Sequence, residues 1–250
     1  NVILKNSVNE KVHFDNNNGL QLFLKREDKI HEVISGNKYR KLKYNLIKAK
    51  ELGYNGLLTF GGAYSNHIPA VAYAAKKNGF KSLSFIRGDE IANNYLENPT
   101  LKYSHNLGMK FNFLSRSNYK LKTNEDFLDK LRNKFIDYFL IPEGGTNALG
   151  VLGCEEILNH NDKKLDYIFC SVGSGGTISG LINSSYENQK IIGFCSINKK
   201  YLLNDITKFV TNNNWMLIDD FAFGGYGKVN VELINFMNDF RHKYDILLDP

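Results

Sequence analysis

A chain of 250 residues can build one large domain or two modest ones, and 42% hydrophobic with 23% charged residues is the balance of a folded globular protein rather than a disordered one. The net charge of +6 is mildly basic, but the cations are scattered instead of gathered with aromatics on one stripe; this argues against nucleic acid and suits a small anionic ligand. No apolar run is long enough to span a bilayer, and no stretch has the pattern of a signal peptide.

In chain order, short apolar runs alternate with helix-type stretches. "LQLFLKRE" (20–27) predicts a strand. An amphipathic helix follows from about Asn37 to Leu52, with Tyr39, Leu42, Leu46 and Ala49 on one stripe. "GLLTF" (56–60) predicts a strand, and 65–79 a helix ended by Gly79. Further strands are expected at 81–87, 109–116 and 137–142, then a helix from about Asn147 to Asn159 and a strand at 165–172. After "GSGGT" come a helix to about Ser185, strands at 190–197 and 214–221, and a last helix from about Val231 to Tyr244. Regular alternation of this kind predicts an α/β fold of open parallel sheets covered by helices on both faces.

Cys154, Cys170 and Cys195 form no CxxC pair and leave an odd thiol in any disulfide scheme. They favour a reducing, cytoplasmic setting and argue against a structural metal site; Cys170 and Cys195, inside apolar strand runs, are expected to be buried and inert. The chain opens on Asn1 rather than Met and stops in "ILLDP" just after an apolar run, so a portion of a longer protein is expected.

Ligands of open α/β sheets sit beyond the carboxyl ends of strands, where glycine-rich turns feed helices. Three such places stand out. "CSVGSGGTISGL" (170–181) runs from strand to helix through Gly173, Ser174, Gly175, Gly176 and Thr177. Bare backbone N–H groups, a helix N-terminus and two hydroxyls make a phosphate receptor. The third glycine of a dinucleotide fingerprint would fall at Ile178, and no Gly-Lys-Ser/Thr is present, so a monophosphate group fits better than either alternative.

"TFGGAYSNHIPA" (59–70) ends a strand at Gly61-Gly62 and opens a helix with Ser65, Asn66 and His67. Ser65 is a good N-cap, and the three side chains are equally a receptor for a carboxylate or phenolate. A hydrolase pair of Ser65 and His67 is poorly placed, because i and i+2 on a helix point apart. "SGNKYRKLKYN" (35–45) crowds Lys38, Arg40, Lys41 and Lys43 at a helix start. A solvated face is one explanation. The other is that the helix dipole, Arg40 and Lys41 disfavour a proton on Lys38, freeing its amine to attack a carbonyl, while Lys41, one turn on, meets an anion.

Together, "LFLKREDKIHEVISGNKYRKLKYN", "TFGGAYSNH", "IPEGGTNALG", "SVGSGGTISG" and "FGGYGKVN" resemble, in this order, the tryptophan-synthase β-like enzymes that use pyridoxal 5'-phosphate. More narrowly they resemble the family of 1-aminocyclopropane-1-carboxylate deaminase and D-cysteine desulfhydrase, over about residues 20 to 250. The resemblance implies two parallel-sheet α/β domains, a larger one from 1–39 and 147–250 and a smaller inserted one from 40–146, with the cofactor between them. It implies that Lys38 is joined to the cofactor and later moves the Cα proton, and that Lys41 and Gly173, Ser174, Gly175, Gly176 and Thr177 hold the phosphate. Asn66 matches the residue bonding the pyridine hydroxyl, and Ser65 and His67 match positions near the substrate carboxylate, with Ser65 also a candidate proton relay. Tyr226 matches an active-site tyrosine, and Gly144, Gly145, Thr146 and Asn147 a loop lining the site without assigned roles.

The family pattern continues past "LLDP" into a second active-site tyrosine and a glycine-rich stretch beside the pyridine ring, neither of which is in this sequence. Ser35 and His67 resemble the desulfhydrase side. The expectation is therefore a pyridoxal-phosphate lyase or deaminase on a small amino acid, leaning to D-cysteine, with ring opening of the cyclopropane amino acid or a non-catalytic binding relative as alternatives. A homodimer is implied by the resemblance alone.

Overall fold

The computed structural model describes residues 2–14, 18–34, 36–195, 197–222, 224–225 and 227–248. Ser35 and Tyr226 therefore lie outside the described residues.

The chain opens with an antiparallel pair, β1 (Asn9–Val12) and β2 (Leu22–Lys25), in register from Asn9 opposite Lys25 to Val12 opposite Leu22. The sequence pattern marks the second strand and not the first, because β1 is short and mostly polar, with Val12 its buried residue. Helix α1 (Asn37–Glu51) then starts behind Gly36, whose φ of 61° suits a residue without a Cβ.

A four-stranded parallel sheet follows. Its strands are β3 (Gly56–Gly62), β4 (Lys81–Arg87), β5 (Lys110–Leu114) and β6 (Tyr138–Leu140), in the order β5-β4-β3-β6. Its connections carry α2 (His67–Asn78), α3 (Pro99–Asn106), α4 (Arg116–Tyr119) and α5 (Glu125–Lys134). Side chains alternate across β3: Leu57 joins Leu42, Ile68, Val71 and Ile86 in one core, while Leu58 and Phe60 join Phe85, Leu128 and Leu131 in the other. Both faces of this sheet are thus covered, as parallel sheets require.

The second parallel sheet comprises β7 (Tyr167–Val172), β8 (Lys190–Cys195) and β9 (Trp215–Ile218), after α6 (Ala148–Glu155) and with α7 (Gly176–Ser184) and α8 (Lys199–Ile206) between its strands. One face packs Val172, Ile191 and Leu217 against Ile178, Ile182 and Ile206. The other carries a run of aromatics, Phe169 to Phe194 to Phe221, with ring centroids 6.0 and 5.8 Å apart, and Phe169 is 54% exposed. Cys195 is buried as expected, and Cys154 is buried too; Cys170 is half-buried, a correction, since it lies with Ile168 on the side of β7 that packs only partly covered against the core.

Helix starts are set largely by asparagine. Asn98, Asn124, Asn147, Asn198 and Asn230 each accept a backbone N–H at the head of α3, α5, α6, α8 and α9 (Val231–Tyr244). The expected helix to Asn159 ends at Glu155 instead, because Asn159 opens a separate turn in which it and Asp162 cap each other.

Candidate active site

The four cations at the head of α1 divide by partner. Arg40 is 4% exposed and grips Glu27 with two bonds of 2.8 and 2.9 Å. Lys43 binds Glu156 at 2.5 and 2.8 Å. Lys41 is 3% exposed, and its ammonium donates only to neutral oxygens: Gly144 O and Thr146 Oγ1 at 3.1 Å, and Ser174 Oγ at 3.2 Å. No carboxylate pairs with it among the described residues. Burial, reinforced by the charge of Lys38, pushes its pKa down to about 8. Lys38, one turn earlier on the helix, is half-buried and donates to Asn37 Oδ1 at 2.9 Å.

Lys41 points into the glycine bend between β7 and α7. Gly175 has φ +81°, and a Cβ on Gly176 would lie 2.8 Å from Thr146 Oγ1 and 3.1 Å from Lys41 Nζ. Only glycine leaves that space open. The bend is stitched to its surroundings by Thr146 Oγ1 and Ser174 Oγ, 2.6 Å apart, and by Asn37, which donates to Thr177 Oγ1 at 2.9 Å. The heads of α1 and α7 and the loop 143–147 therefore meet at one ammonium.

Thr146 is one of four loop residues whose role the sequence did not assign. Its hydroxyl reaches Lys41 because Gly144 and Gly145, with φ of 66° and 69°, fold the loop back over α1. A Cβ on Gly145 would stand 3.2 Å from Lys41 Cβ. The paired glycines were the available signal, but nothing in their spacing names a partner 105 residues away.

The turn after β3 supplies the third group. Asn66 is exposed and Ser65 half-buried, with Ser65 Oγ accepting the backbone N–H of His67 at 3.3 Å, as an N-terminal cap does. His67 is 1% exposed, and its Nε2 lies 2.8 Å from Thr59 Oγ1. Thr59 donates its own proton to Ile141 O at 2.8 Å, so the imidazole donates from Nε2 and Nδ1 is the bare nitrogen. Nδ1 is buried without a hydrogen-bond partner among the described residues. Burial, then the charges of Lys38 and Lys41, hold this imidazole well below its ordinary pKa. Ser65 and His67 make no hydroxyl–imidazole pair, which removes the hydrolase alternative.

A buried ammonium with no carboxylate partner among the described residues, beside a glycine bend, a helix N-terminus and the hydroxyls of Thr146 and Ser174, is the donor set for a phosphate monoester. A second amine three residues earlier on the same helix suits an aldehyde on the same ligand. Pyridoxal phosphate has both groups, and the residues present fit it.

Comparison with known proteins agrees. A Thermotoga maritima protein provisionally named 1-aminocyclopropane-1-carboxylate deaminase is 30% identical over 255 residues, covering 93% of this chain and 80% of the relative. The D-cysteine desulfhydrase of Serratia proteamaculans is 25% identical over 256 residues, covering 93% of this chain and 77% of that protein. The crystal structure of an ACC deaminase homologue superposes with a TM-score of 0.76 at 25% identity, over 93% of this chain and 76% of that one. Residues 10–200 match the family described as pyridoxal-phosphate dependent enzymes. The matched span includes both lysines and the glycine bend, so this chain belongs to the pyridoxal-phosphate dependent enzyme family, and pyridoxal phosphate is its cofactor.

Proposed function

We propose that the protein is a lyase or deaminase of small amino acids that eliminates the β-substituent of D-cysteine, one water being consumed to give pyruvate, ammonia and hydrogen sulfide. The observation that carries the placement of the cofactor is Lys41, a buried cation whose partners are all neutral oxygens. Pyridoxal phosphate supplies an electron sink for bond breaking at the amino acid's Cα. Lys38, half-buried and steadied by Asn37, is the residue we assign to the cofactor aldehyde and to moving the Cα proton. Lys41, Thr146 and residues Gly173 to Thr177 would hold the phosphate, the backbone N–H groups as donors and the buried ammonium as the balancing charge. Asn66 and Ser65 are the residues we assign to the pyridine hydroxyl and the substrate carboxylate, and His67 follows them with its ring on Thr59. Tyr226 is carried by the resemblance alone.

The name of the Thermotoga relative favours a second reading, ring opening of 1-aminocyclopropane-1-carboxylate to 2-oxobutanoate and ammonia. Steady-state assays of D-cysteine, D-serine and the cyclopropane substrate separate the two. Sulfide and pyruvate from D-cysteine at the highest kcat/KM are expected, whereas turnover of the cyclopropane substrate alone overturns the first reading. We further propose that residues 40–146 form a unit inserted between 1–39 and 147–250. We also propose a homodimer and, from three free thiols, a cytoplasmic setting. Among the described residues no helix is long and apolar enough to cross a membrane.

A further inference from the structure

His67 sits where two parts of the site meet, and its contacts differ from those of a substrate ligand. It is the first residue of α2, directly after Ser65 and Asn66, yet its ring is 1% exposed and turned onto the sheet. There Nε2 meets Thr59 Oγ1, and Thr59 donates to the carbonyl of Ile141, just before the loop that carries Gly144 and Thr146 to Lys41. The ring also lies beside that loop: a Cβ on Gly145 would stand 3.4 Å from His67 Cε1, the carbon between the two ring nitrogens. We infer that His67 is a positioning residue, a neutral clamp that fixes the turn at Ser65 and Asn66 to the loop at Gly144 to Thr146 through Thr59 and Ile141.

The physical basis is direction. Thr59 has one hydroxyl proton and gives it to Ile141 O, so it receives the imidazole only as an acceptor. The chain of two bonds therefore has a single polarity, from Nε2–H to Thr59 to the Ile141 carbonyl. A second proton, on Nδ1, would place a cation in a closed space already facing Lys38 and Lys41, so the clamp stays neutral. What it holds is the distance between the two sides of the ligand. Gly144 O and Thr146 Oγ1 orient the ammonium that meets the phosphate, and Ser65 and Asn66 lie at the other end. A supporting shell of this kind governs how well the contacting groups are placed.

The inference rests on the cofactor placement proposed above, and its test separates the two. Pyridoxal phosphate is titrated into cofactor-free wild type, Thr59→Val, His67→Leu, Thr59→Ser and His67→Gln well below their melting temperatures. Thr59→Val and His67→Leu, which break the chain of bonds, should weaken binding about tenfold. Thr59→Ser and His67→Gln, which keep the acceptor and the N–H, should stay within about twofold of wild type. In parallel, 15N NMR of the histidine rings in cofactor-free wild type should show His67 protonated at Nε2 alone. That spectrum needs neither a variant that folds nor a bound cofactor. Folded Thr59→Val and His67→Leu with unchanged affinity overturn the clamp, as does an Nδ1–H tautomer. A wild type that never binds pyridoxal phosphate overturns the cofactor placement instead, while the spectrum still decides the clamp.

Discussion

Lys41 bears a charge in a closed site with no carboxylate among the described residues to balance it, and that imbalance has a pH signature. Its folded pKa of about 8 lies below the ordinary lysine value of 10.5. In the cofactor-free protein the ammonium is half-titrated at about pH 8 and mostly lost a unit above it, so affinity for phosphate or pyridoxal phosphate should fall as pH rises from 8 to 9.5. The sign for stability is opposite: the unfolded chain binds more protons between pH 8 and 10.5, so this site's contribution to stability rises through that window. Calorimetric titration at pH 8.5 in buffers of different ionisation enthalpy should record proton uptake on binding, absent in Lys41→Met. Without cofactor at pH 7 that variant should be no less stable than wild type, since it removes an uncompensated buried charge. How the four cations of "NKYRKLK" divide was not legible in the chain. Arg40 finds Glu27 13 residues upstream and Lys43 finds Glu156 113 residues downstream, and neither spacing is a local signal.

Close approach between helices sets the frame around these residues. A Cβ on Gly153 of α6 would fall 1.9 Å from the backbone oxygen of Arg40, and one on Gly180 of α7 would fall 2.4 Å from Cys154 Cβ. Helices α1, α6 and α7 are thus pressed together at two glycines, and the heads of α1 and α7 meet through Asn37 and Thr177 and through Lys41 and Ser174. Gly153→Ala illustrates the competition. Helix propensity alone would favour alanine by roughly 1 kcal/mol, but the clash is with backbone, which cannot rotate away. We expect a net loss of about 1–3 kcal/mol, seen as a Tm lowered by about 2–4 °C for each kcal/mol. The alternation of strand and helix, the bounds of β4 and α9 and the glycine bend were all readable, because each rests on local periodicity or on a residue with special backbone freedom. β1 was not readable, being four residues that acquire meaning only opposite β2.

At the scale of the molecule, two parallel sheets and an antiparallel pair are tied through α1, whose buried Arg40 bonds Glu27 just after β2 and whose Lys41 reaches the bend after β7. Glu27→Ala should leave that guanidinium buried with Glu156 at 3.7 Å as its remaining carboxylate, costing about 3 kcal/mol in urea unfolding, whereas Lys38→Ala should leave stability nearly unchanged. Which amine takes the aldehyde is the point on which the functional account turns, because Lys38 and Lys41 share a helix face one turn apart. Reduction of the cofactor-loaded protein with borohydride, followed by peptide mapping, decides it. One pyridoxyl group per chain, on Lys38, is expected, and a colourless protein for Lys38→Ala. A label on Lys41, or none on a folded and saturated protein, would contradict this assignment.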